Sequence, residues 1–142
     1  MLFIAPGGAL YGIGAEFATG SKVAVTVRGA GFSYEYDEDG YSESGGGSLL
    51  GGTVRFYTER AMDGMYFGIG ADLLSATVDW YEYPGRYGTT SVSGIAPHVQ
   101  IGYKIQMGSG FSLEPAIILI AVPGNVEAGL VGGIGVTLGV RF

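Results

Sequence analysis

A chain of 142 residues that is 47% hydrophobic and 14% charged, with a mean hydropathy of +0.34, has the length of one domain and more apolarity than a water-soluble domain carries. A formal charge of −6 offers nothing to a phosphate backbone, so nucleic acid is excluded as a partner, and zero cysteines exclude a disulfide framework or thiolate metal site. The longest apolar run, 116–122, is bounded by Pro115 and Pro123 and falls far short of the roughly 20 residues of a helical membrane span.

The excess apolarity falls on alternate positions, which is the period of a β-strand with two chemically different faces. Met1 is followed almost at once by Pro6, Gly7 and Gly8, with no basic or sustained apolar stretch, and reads as an initiator on a mature or trimmed sequence. Alternation predicts strands over 5–18, 22–36, 48–60, 65–81, 92–106, 111–122 and 128–142, with almost no segment favouring helix. Tight turns rich in Gly, Asp and Ser are expected at 19–21, 61–64 and 107–110, and longer polar loops at 37–47, 82–91 and 123–127. The whole chain, 1–142, is thus expected to form one all-β, antiparallel up-and-down transmembrane barrel, short turns at one end and long loops at the other. Single-chain bacterial barrels have even strand numbers, so about eight are expected although seven are recognised. The eighth would be an unrecognised N-terminal strand or one supplied by another chain; an odd or open arrangement and a miscount are the alternatives.

Parity assigns the faces. Outward fall apolar residues without a charge, among them Ile13, Val25, Leu50, Ile69, Leu73, Ile95, Ile101, Ile117, Ile134, Val136 and Leu138. Inward fall Glu16, Arg28, Arg55, Glu59, Asp72, His98, Gln100, Lys104, Glu114, Glu127 and Arg141, with Tyr57, Tyr66 and many glycines. Charges in a low-dielectric interior must pair, so this set predicts a plugged, hydrogen-bonded lumen. Phe17, Phe56, Phe67, Tyr103, Phe111 and Phe142 lie near the short-turn end as an interfacial aromatic girdle, and Tyr34, Tyr36, Trp80, Tyr81 and Tyr83 crowd the other end. The parity of Val23, Val25 and Val27 does not carry outward through Phe32 and Tyr34, which predicts a β-bulge at residues 29–31 turning those aromatics outward.

With its aromatic terminus, charge-free outer face and two aromatic groups, the chain resembles, over essentially its whole length, the small bacterial outer-membrane barrels of the OmpA and OmpX type. That resemblance implies an outer-membrane location in a lipid bilayer, short turns toward the periplasm, and a Phe142 that is part of the signal read by the outer-membrane assembly machinery. Some small outer-membrane barrels are lipid A acylases or deacylases, which demand a serine and an acid beside a histidine. Here His98 is the only histidine and no His-x-Ser element exists, so a lumen hydrogen-bonding role is expected and no enzyme activity. Asp37, Asp39 and Glu43 are weak candidates for divalent-ion ligands, a solvated acidic loop being the plainer reading, and no cofactor is expected. The Gly12-x-Gly14 and Gly68-x-Gly70 pairs open no helix and cradle no phosphate. The expected role is membrane anchoring or surface interaction through the long loops. A narrow channel, a lipid-modifying enzyme and a soluble ligand-binding barrel are the alternatives.

Overall fold

The computed structural model describes residues 2–5, 8–108, 110–122 and 129–140, and every element in it is a strand. Seven long strands run antiparallel and up-and-down: β2 (Gly8–Ala18), β3 (Val23–Glu38), β4 (Tyr41–Tyr57), β5 (Gly64–Glu82), β6 (Arg86–Met107), β7 (Phe111–Val122) and β8 (Gly129–Val140). The four-residue β1 (Leu2–Ala5) pairs with β2 on one side and β8 on the other, so the curled sheet closes on itself. The closing strand thus comes mostly from residues that the expected first strand, 5–18, leaves out, with Ala5 belonging to β1 and the next strand opening at Gly8, since four residues are too few to show a period. β1 reaches down only to Leu2, and below it no described strand lies between β2 and β8.

The tight turns at 19–21 and 61–64 stand where expected and the strands flanking the third end at Met107 and begin at Phe111, whereas two of the expected long loops do not exist. Residues 37–47 and 82–91 are mostly ladder: β3 and β4 pair to Glu38↔Tyr41, and β5 and β6 to Glu82↔Arg86. Polar composition misled there, because Gly45 and Gly47 sit directly opposite Tyr34 and Phe32, whose rings lie where a glycine Cβ would be. An aromatic covering a cross-strand glycine makes a stable pair from a sequence that reads as a linker. The third expected loop, 123–127, lies outside the described residues.

The same pairing removes the expected bulge. The β3 register runs unbroken through Gly29, Ala30 and Gly31 against both neighbours, and Phe32 packs inward against the buried cluster of Ala30, Leu49 and Leu74. Tyr34 follows it on the inner face.

Elsewhere the assigned facing holds. On β5 the even residues Tyr66, Gly68, Asp72 and Leu74 are buried while Met65, Phe67, Ile69 and Leu73 are exposed, and β6 and β7 repeat the pattern. The exposed apolar stretch is nine residues on β5 (65–73) and eleven on β6 (95–105). It ends abruptly: the row Gly29, Leu50, Leu73 and Ile95 is followed by Gly31, Ser48, Ser75 and Ser93, and polar rows continue above. Above that boundary β3 to β6 run on as a four-stranded projecting sheet, while β7 and β8, each 12 residues, stop short.

Candidate functional site

The barrel interior is layered. At the short-turn end Ala24, Tyr57 and Tyr66 pack together, the two rings 5.3 Å apart. Charges fill the middle. Above them lies an apolar layer of Ala30, Leu49, Leu74, Ala96, Ala116, Ile118 and Ile120, which parity reading for charges did not assign.

Glycine on one strand lets side chains from its two neighbours meet over it, and three such rows build the charged layer. In the row Arg28, Gly51, Asp72, the guanidinium donates to Asp72 through Nε at 3.0 Å and Nη2 at 2.5 Å. In the row Thr53, Gly70, His98, the imidazole Nε2 stands 2.8 Å from Thr53 Oγ1 and Nδ1 stands 2.9 Å from Asp72 Oδ2. In the row Arg55, Gly68, Gln100, the amide oxygen, once oriented to suit its donors, accepts from Arg55 Nε at 2.8 Å. A Cβ at Gly70 would lie 2.7 Å from His98 Nε2, and one at Gly51 would lie 2.5 Å from Asp72 Oδ1. The glycines are therefore part of the network's geometry.

Arg55 is the centre of a second cluster. It bridges Glu16 at 3.2 Å and Glu114 at 2.9 Å and lies 4.5 Å over the Tyr66 ring. Lys104 pairs with Glu16, and the Tyr57 and Tyr66 hydroxyls donate to Glu16 and Glu114 at 2.6 and 2.8 Å. Three carboxylates thus meet three permanent cations, each with a partner.

Of the residues expected in the lumen, Glu16, Arg28, Arg55, Asp72, His98, Gln100, Lys104 and Glu114 converge. Glu59 does not: β4 ends at Tyr57, and Glu59 is exposed in the following turn. Arg141, Phe142 and Glu127 lie outside the described residues, the expected assembly signal with them. Phe17, Phe56, Phe67, Tyr103 and Phe111 are all exposed on the outer face toward the short turns, with Phe56 directly opposite Phe67. At the other end the aromatics divide: Tyr34, Tyr36 and Trp80 stand on the inner face of the projecting sheet, whereas Tyr81 lies on its outer face and Tyr83 is exposed in the turn that follows.

Thr53, His98 and Asp72 have the order of a nucleophile, base and acid. Sequence reasoning missed Thr53, 45 residues from His98, although parity and the tight turn at 61–64 together put it level with Gly70 and His98. All three are almost fully buried, and Arg28 holds the carboxylate. Their backbone N–H groups lie in paired strands, which gives a developing oxyanion no donors. The arrangement orients a network. Ser91 and Ser93 stand on the outer face, away from His98.

The projecting sheet has different chemistry. Glu35, Asp37, Glu38, Asp39, Glu43, Asp79 and Glu82 stand against Arg86 alone, so its net charge equals the −6 of the whole chain and the remainder is neutral. On the inner face Glu43 accepts from Tyr34 at 2.6 Å and Tyr41 at 2.5 Å, and Tyr36 donates to Glu38 at 2.6 Å. Burial, then the Glu43 carboxylate, pushes the Tyr34 phenol well above its ordinary value; the hydrogen bonds to Glu43 and Glu38 raise Tyr41 and Tyr36. On the outer face two shallow grooves of about 590 and 560 Å³ share Glu35, Ser44 and Asp79. Asp37 faces out, Glu43 in, and Asp39 sits in the turn, so the three do not converge, and among the described residues no acidic or histidine cluster could hold a metal ion.

Among the described residues, the upper edge of β6 toward β7 has no partner strand. Ladder pairing with β7 begins at His98, β7 itself runs on to Val122, level with Ala96, and along 86–95 no described strand lies against that edge. Compared with protein-family models, curated proteins and solved structures, the chain matches none.

Proposed function

We propose that this chain is an integral β-barrel of the bacterial outer membrane, with a lumen plugged by side chains and a projecting sheet that makes contacts outside. One observation carries the reading. The outer surface is a charge-free apolar band nine residues tall on β5 and eleven on β6, bounded above by a row of serines, while the charges of the same strands are turned inward and paired. Tilted strands of about 9 to 11 residues cross a bilayer, and a water-soluble barrel has the reverse arrangement. The five aromatics toward the short turns suit an interface with lipid headgroups. The polar sheet above the band, with its grooves and open edge, is the part of the molecule equipped for surface interaction, and it takes over the role expected of long loops.

A cold-against-boiled gel in detergent tests this, paired with light scattering after detergent removal. The expected result is a heat-shifted band and aggregation without detergent. A monodisperse protein in plain buffer would overturn the membrane reading.

A further inference from the structure

The open edge of β6 has properties that name its occupant. Residues 87–97 contain no charged side chain and are mostly Thr, Ser and Gly with single Tyr, Val and Ile residues, so the strand lacks the lysines or internal prolines that normally guard an edge until Pro97 ends it. Pro115 interrupts the β6 and β7 ladder opposite Tyr103, and Pro97 stops it, as expected if odd-numbered residues of β6 direct their N–H and C=O toward β7. By alternation Thr89, Ser91 and Ser93 present unpaired main-chain groups to the open side. Their side chains share the outer face with Glu35 and Asp79, and Thr89 Oγ1 donates to Asp79 Oδ1 at 2.6 Å.

The geometry points to a basic, extended polypeptide segment as the partner, added as a strand along residues 87–93 of β6. This rests on the surface-interaction reading above. Main-chain hydrogen bonds to an added strand supply the contact, and alternate lysine or arginine side chains reach over Thr89 toward Asp79 and the acidic row beyond it. The charge argues against a second copy, because two sheets each carrying the full −6 would repel edge to edge.

The test uses the full chain in zwitterionic micelles and a short synthetic peptide alternating lysine and threonine, with binding read by fluorescence anisotropy. Expected are saturable binding that weakens with salt, loss of binding when glutamate replaces lysine, and about tenfold or greater weakening when alternate peptide amides are N-methylated. Ser91→Pro, which removes an edge N–H, should weaken binding to a similar degree, whereas Ser91→Ala should not. The N-methylated peptide leaves the protein untouched, so it decides the matter even where the proline variant fails to fold. Equal binding of the acidic peptide, indifference to N-methylation, or a salt-resistant dimer of the chain alone would each overturn the inference. A heat-shifting protein that ignores the peptide would overturn it and leave the membrane reading standing; monodispersity without detergent would overturn both.

Discussion

The barrel body and the projecting sheet are built from the same strands and the same residue types, yet they treat charge in opposite ways. In the body, Glu16, Asp72 and Glu114 meet Arg28, Arg55 and Lys104 at hydrogen-bonding distance, shielded from water. In the sheet, seven carboxylates face one arginine, and the carboxylates that have partners are held by tyrosine and threonine hydroxyls. The difference follows from where solvent reaches. A buried charge must be matched, whereas an exposed surplus is tolerated and becomes a field that selects partners.

The sharpest break of that comparison is an arginine removed from each region. Arg55→Leu leaves Glu16 and Glu114 with Lys104 as their one remaining cation among the described residues and should cost about 3 to 5 kcal/mol. Arg86→Leu, at the exposed tip, should cost at most about 0.5 kcal/mol. Urea unfolding in micelles measures both, and comparable losses would mean that the interior network is hydrated.

An arginine added to the outer face separates the regions next. Val136→Arg, in the apolar band, should cost about 2 to 4 kcal/mol in a lipid-folding titration, against about 0.5 kcal/mol or less for Thr77→Arg above the serine row. Equal tolerance would sink the membrane boundary.

A smaller effect tests the glycine rows. Alanine at Gly70 would bring its Cβ to 2.1 Å from the Gly52 carbonyl oxygen and 2.7 Å from His98 Nε2, so Gly70→Ala should cost about 1 to 3 kcal/mol. At Gly20 the nearest atom, Val23 Cβ, would be 3.7 Å away, and Gly20→Ala should be close to neutral in the same unfolding assay.

These rows also explain what was legible in the sequence. Parity assigned Arg28, Asp72 and His98 to one face because period-two alternation is local, and tight turns set the register between neighbours. Contacts that skip a strand were not legible. That Thr53 reaches His98 depends on Gly70 being vacant between them, a fact about three strands at once. The same limit hid the projecting sheet: residues 42–47 read as loop by composition, and only Phe32 and Tyr34 lying over Gly47 and Gly45 make them strand. Glu59 was misplaced for the converse reason, since alternation ran on past Tyr57, where the ladder with β5 stops.

The least disruptive comparison is a pH titration confined to the sheet. Tyr34 and Tyr41 donate to the two oxygens of Glu43, and their phenols ionise later in the fold than in the unfolded chain, for which about 10 is ordinary. A folded value above the unfolded one means that the stabilisation is complete below pH of about 10 and is lost as pH rises through the folded value. Absorbance at the phenolate band should therefore show a late tyrosine fraction in the folded protein that disappears in denaturant. Glu43→Gln should move part of that fraction earlier while the heat-shifted band of the barrel stays as it was, because no interior ion pair involves Glu43. Were the gel shift lost with the late tyrosines, sheet and barrel would fold as one unit, and the projecting sheet could no longer be treated as a surface that changes partners without cost to the body beneath it.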